Sequence, residues 1–107
     1  MDVKFEVAVV PDCPHTQAAE TMFRAALQHV GLPDAVVKVV IVDDEVAATE
    51  RVFVGSPSFF VNGQDLFPVP AATPAVACRV YRDAEGTRSS GLPDERGLRA
   101  ALVAALD

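Results

Sequence analysis

The segment Val36-Val37-Lys38-Val39-Val40-Ile41-Val42 is β-branched everywhere except Lys38. Such side chains are stiff at χ1 and pack well on a pleated surface, so the run demands a strand. A second apolar run, Phe5 to Val10, stops at Pro11, and a continuous run this short fits a strand covered on both faces. Between the two, Ala19, Met22, Phe23, Ala26, Leu27 and Val30 recur at three- and four-residue spacing, the stripe of a helix of about four turns. Strand, helix and strand in that order form a βαβ unit with two parallel strands.

Punctuation around these elements is consistent with them. Pro14 suits the first helical position, where a missing N–H costs nothing, and Gly31-Leu32-Pro33 is a stop signal. Asp43-Asp44-Glu45 places negative charge at the start of a short helix near Glu45 to Arg51. From Gly55 to Phe67 the chain reads as a hairpin, with Pro57 heading its first strand and Asn62-Gly63 as a two-residue type I′ turn. Pro68 to Thr73 is a connection, and Val76, Cys78 and Val80 alternate as the inward side of a short extra strand. Asp83 to Gly91 reads as a surface loop. Pro93, Asp94 and Glu95 open a last helix whose Leu98, Ala101, Leu102 and Ala105 face the core. The 107 residues suit a single domain spanning 1–107, without internal repeats or a linker. The expected fold is α/β, in the order β-α-β-(α)-β-β-(β)-α, with a mixed central sheet and helices on both faces.

Charge narrows the partners. The net charge is −6, and residues 1–74 hold ten acids against Lys4, Arg24, Lys38 and Arg51. Five arginines between 75 and 107 meet five acids, so no basic patch suited to nucleic acid arises. No apolar run approaches the roughly 18 residues that span a bilayer, and no secretory signal pattern is visible. The expectation is a cytoplasmic protein with neither nucleic-acid nor membrane partner. No cofactor or metal motif is visible, and the sequence sets no oligomeric state.

Two cysteines, Cys13 and Cys78, lie far apart in the chain. In a reducing compartment they are two independent thiols or a functional pair assembled by the fold. A helix beginning at Pro14 makes Cys13 its N-cap, with the sulfur facing the unpaired amides of His15 and Thr16. Those donors and the positive helix end favour a thiolate, a nucleophile and soft-metal ligand. The plainer alternative is a partly buried cysteine beside a turn. His15, in the first turn, supports the thiolate by charge or hydrogen bond, or is simply an exposed helix-start histidine. Thr16 stands where a C-x-x-C pair carries its second cysteine; its hydroxyl can donate to a thiolate but forms no disulfide. Cys78 is either a buried core cysteine, as its company of Val76 and Val80 suggests, or the partner of Cys13.

Asp12-Cys13-Pro14-His15-Thr16 resembles the C-P-H-C active site of DsbA-type thiol oxidoreductases, with threonine in place of the second cysteine. Gly55-Ser56-Pro57-Ser58-Phe59-Phe60-Val61-Asn62-Gly63 resembles the thioredoxin-superfamily segment in which a cis-proline precedes a strand and hairpin. Together with Cys78-Arg79-Val80-Tyr81, the chain is similar to short thioredoxin-like proteins of actinobacteria, some grouped by name with alkylmercury lyases. The resemblance implies a thioredoxin-like fold and a cis bond before Pro57. It further implies that Pro57 lies against the Cys13 sulfur and that the Ser56 backbone pairs with an extended substrate.

Three functions follow as expectations. In the first, Cys13 attacks a disulfide or oxidised thiol and the mixed disulfide is resolved by Cys78 or by a low-molecular-weight thiol such as glutathione or mycothiol. In the second, Cys13 and Cys78 hold a thiophilic metal or organomercurial, with Asp12 as proton donor. In the third, the chain is a non-catalytic binding module with idle thiols.

Overall fold

Residues 3–69, 71–82 and 89–106 are described by the computed structural model. Strand β1 (Phe5–Val9) leads to helix α1 (Thr16–His29), strand β2 (Val37–Ile41) and helix α2 (Glu45–Arg51). The hairpin strands β3 (Ser58–Val61) and β4 (Gln64–Asp65) follow, then β5 (Tyr81–Arg82), β6 (Ser89–Ser90) and helix α3 (Glu95–Leu106). The four-stranded mixed sheet has the order β2-β1-β3-β4. β1 runs parallel to β2, with Phe5 opposite Val37, and antiparallel to β3, with Phe5 opposite Val61.

The central position of β1 explains its unbroken apolarity. Phe5, Val7 and Val9 join α1 and α3 in one core, with Phe23, Leu27, Phe59, Leu98 and Leu102. Ala8 faces the opposite side, where it meets Val42, Ala48 of α2, Phe53 and Phe60. Helices therefore cover both faces of the sheet, as the apolar runs require. The first core is built around edge-to-face rings, Phe5–Phe23 at 6.0 Å and Phe23–Phe59 at 5.4 Å between centroids, the geometry that aromatic quadrupoles favour. β2 is an outer strand of the sheet, so Ile41 at its end and Val36 just before it are exposed.

Helices α1 and α2 end in the same motif. After α1, the Leu32 amide donates to Leu27 O and the Gly31 amide to Gln28 O, with Gly31 at φ +91°. This is a Schellman cap with glycine at its left-handed position. After α2, the Phe53 amide donates to Ala48 O and the Val52 amide to Thr49 O, and Val52 holds φ +54°. A β-branched residue is strained there, because its Cβ crowds the neighbouring carbonyl. Val52 is mostly exposed, so little apolar burial is lost on truncation. We expect Val52→Gly to raise stability by about 0.5–1 kcal/mol in urea unfolding, relief of strain outweighing the extra freedom of glycine in the unfolded chain. An unchanged or lowered midpoint contradicts this.

Four local expectations need correction. α1 begins at Thr16 with His15 as its N-cap, not at Pro14. The amide and hydroxyl of Thr16 both donate to Cys13 O, at 3.3 and 2.9 Å, closing a turn in which Pro14 takes the second position, equally suited to its fixed φ. Between 76 and 82 the inward residues are Arg79 and Tyr81, while Cys78 and Val80 are exposed; a buried guanidinium inverts the phase read from the valines. The strand here is β5, and Cys78 makes only an isolated bridge. In α3, Leu98 and Leu102 are buried but Ala105 is exposed. Of the loop expected over Asp83–Gly91, residues 83–88 lie outside those described, and Ser89–Ser90 pair with Tyr81–Arg82.

Candidate functional site

Where β1 ends, the Cys13 amide donates to Val10 O at 3.3 Å, and Asp12 takes φ +57° in the intervening turn. Aspartate tolerates that conformation better than most residues. The turn places Cys13 at the edge of the first core, with 9% of its surface exposed. Cys13 is thus two residues before the N-cap of α1 rather than the cap itself. His15 makes no side-chain cap bond. Its ring lies against Gly91, where a Cβ would come within 2.7 Å of His15 Cδ2. The Thr16 hydroxyl is directed to the Cys13 carbonyl, so it secures the turn.

Ser56 is the hub of the site. Its hydroxyl accepts from the Val10 amide at 3.0 Å, which ties it to the same residue that closes the Cys13 turn. The following Ser56–Pro57 bond is cis. The Ser56 amide donates to Ala77 O at 2.8 Å, and its carbonyl accepts from the Arg79 amide at 3.0 Å, forming a parallel bridge to Cys78. The expectation that these backbone groups lie open to an extended substrate is therefore corrected: residues 77–79 of the chain itself occupy them. Cys13 and Cys78 are both free thiols, the first buried and the second exposed.

Arg79 anchors the bridging segment. Its guanidinium donates to Asp65 Oδ2 at 2.8 Å, to Ser58 Oγ at 2.9 Å and to Phe67 O. Asp65 also accepts from the Phe67 amide, and the Ser58 hydroxyl donates to Gly55 O. In the Arg79–Asp65 ion pair Arg79 is buried and Asp65 largely so, with side-chain exposures of 7% and 11%. Tyr81 lies 4.7 Å beneath the guanidinium and donates its hydroxyl to Pro57 O at 2.5 Å. Sequence reasoning missed Arg79, Asp65, Ser58 and Tyr81 as members of this network. The signal available was a base within an otherwise apolar stretch, Arg79 between Cys78 and Val80.

Burial pushes the Tyr81 phenol well above its ordinary value, with Arg79 opposing the shift. An acid whose folded pKa is raised keeps its proton in the native state, so the unfolded chain releases it first and stability falls as pH rises past about 10. Tyr81 is the single tyrosine and there is no tryptophan, so the tyrosinate absorbance band, at wavelengths where phenylalanine is transparent, reports it alone. We expect tyrosinate to appear together with unfolding, and Tyr81→Phe to flatten the alkaline loss of stability. Tyrosinate formed in a still-folded protein contradicts the assignment.

Among the described residues, no three His, Cys, Asp or Glu side chains are grouped to hold a metal ion. No helix among them is long and apolar enough to cross a membrane. Comparison with family models, curated proteins and solved structures gave no match.

Proposed function

We propose that this chain is a thioredoxin-like thiol–disulfide oxidoreductase in which Cys13 is the nucleophile and Cys78 the resolving thiol. The observation that carries this reading is the role of Ser56: its hydroxyl holds the strand end that closes the Cys13 turn, and its backbone pairs with Cys78. The strand order β2-β1-β3-β4, with β1 parallel to β2 and antiparallel to β3, supports the fold assignment.

The deprotonated Cys13 sulfur attacks a substrate disulfide, forming a mixed disulfide and expelling one substrate thiolate. The Cys78 thiolate then attacks Cys13 Sγ, forming a Cys13–Cys78 disulfide and expelling the second substrate thiolate. The substrate gains two electrons and the chain loses two; two equivalents of a low-molecular-weight thiol then reduce the Cys13–Cys78 disulfide and leave as their own disulfide. Because residues 77–79 fill the Ser56 edge and Cys13 is largely covered, a small disulfide suits the site better than an extended peptide. Two free cysteines fit a reducing compartment such as the cytoplasm.

The test is exchange with a small aromatic disulfide that releases a coloured thiolate. The wild-type chain should release two equivalents, and Cys78→Ser should release one and retain the mixed disulfide. Cys13→Ser should still release one equivalent from the exposed Cys78 and retain that adduct, with no second thiol to resolve it. A wild-type chain that retains two adducts and forms no internal disulfide overturns the reading.

A further inference from the structure

Cys78 belongs to a segment with an unusual division of attachments. Its own thiol is exposed, yet the residue after it is buried and carries an ion pair, two further hydrogen bonds and a stacked ring. The residues on either side of Cys78 bond the Ser56 backbone. Gly55 permits this approach, since a Cβ there would lie 2.7 Å from Arg79 Cβ. The guanidinium reaches three places on the hairpin side, Ser58, Asp65 and Phe67, so it ties the Cys78 backbone to the sheet rather than to its own flanking chain.

We infer that Arg79 is a positioning residue for Cys78: its buried guanidinium holds residues 77–79 against Ser56 and so fixes the exposed thiol beside the segment that carries the Cys13 turn. The inference rests on the reading of Cys78 as resolving thiol and adds how that thiol is kept in place. A thiol on a pinned backbone attacks a nearby mixed disulfide at a high effective concentration. The same thiol on a released segment samples many positions, and its effective concentration falls. Nothing in this role needs Arg79 to touch substrate.

The experiment measures the effective concentration of Cys78 toward Cys13 by equilibrating the full chain in glutathione redox buffers and quantifying intramolecular disulfide against glutathione adduct. Arg79→Met should lower it by about tenfold or more, and Arg79→Lys, which keeps the charge opposite Asp65 but loses the fork of donors, should fall between. Leu102→Ala, a core truncation in α3 outside the Arg79 hydrogen-bond network, serves as a destabilised control and should leave the ratio unchanged. Hydrogen exchange should show the Ser56 and Arg79 amides losing protection in the Arg79 variants and keeping it in the control. If Arg79→Met does not fold, Arg79→Lys and Asp65→Asn give the same comparison. An Arg79 series with wild-type ratios and amide protection overturns the inference while leaving the proposed function standing. An equal fall in Leu102→Ala overturns it as well, as an effect of stability alone. A wild-type chain that gives only glutathione adducts overturns the resolving role of Cys78, and this inference with it.

Discussion

Replacing Arg79 with methionine is expected to destabilise the fold by about 3–5 kcal/mol, because it strands a buried partner of opposite charge. Asp65 is covered by the hairpin and has Arg79 as its ion-pair partner; without the guanidinium, its carboxylate meets low-dielectric surroundings. Two further acceptors, Ser58 Oγ and the Phe67 carbonyl, lose a charged donor in the same substitution, and each unsatisfied buried group adds to the loss. Methionine approximates the length of the arginine stem, so packing changes little and the effect isolates the polar network. Urea unfolding monitored by circular dichroism measures it. A loss below about 1 kcal/mol, the range of exposed ion pairs, shows that Asp65 and Arg79 are solvated rather than buried. Simultaneous replacement by an apolar pair is expected to recover much of the loss, since removing both partners leaves no buried charge.

Gly55→Ala is the second substitution with a large expected cost, about 2–4 kcal/mol, combining overpacking with an unfavourable backbone conformation. Gly55 has φ +151°, a region side chains rarely adopt, and an added Cβ would meet Arg79 Cβ at 2.7 Å and Arg79 Cα at 3.2 Å. Neither neighbour is the free end of a flexible chain, so the 77–79 segment has to move away from Ser56. The substitution should therefore expose the Ser56 and Arg79 amides to exchange even in conditions where the sheet stays intact. Gly63→Ala makes a useful comparison. It also has a positive φ, +80°, but nothing lies within 4 Å of its added Cβ, so only the conformational part of the cost remains. Equal losses at both glycines contradict the close approach of Arg79.

What was legible in the sequence was local. The β-branched run at 36–42 became β2, the Asn62-Gly63 turn appears with both residues at positive φ, and the Gly31 stop is a complete Schellman cap. Each of these depends on residues within a few positions of one another. The start of α1 was misplaced because proline fits both a first helical position and the second position of a turn; the Thr16 bonds to Cys13 O decide between them. Residue polarity alone argued that Arg79 should face solvent. Its burial depends on Asp65, 14 positions away, and on the Phe67 carbonyl, neither of which announces itself as a partner in one sequence. The same holds for Ser56: no pattern in residues 76–80 says that they close a parallel bridge to a loop before β3. The α2 cap shows the converse case, in which Val52 takes a glycine conformation without a glycine to signal it.

The candidate site was legible in its parts and not in its assembly. Cys13, His15, Thr16, Ser56, Pro57 and Cys78 were all singled out, but the structure rearranges their relations. The Thr16 hydroxyl serves a carbonyl rather than a sulfur. His15 packs on Gly91, and Ser56 is joined to the second cysteine segment instead of facing open solvent. Ser56 thereby bonds both to the strand end that closes the Cys13 turn and to the segment that carries Cys78.

Peptide mapping by mass spectrometry after mild diamide oxidation tests that link most directly. A single cross-linked species containing Cys13 and Cys78, lighter than the two separate peptides by two hydrogen atoms, is the predicted product. Cys13 and Cys78 recovered only on separate peptides, each free or carrying its own small-thiol adduct, would contradict it.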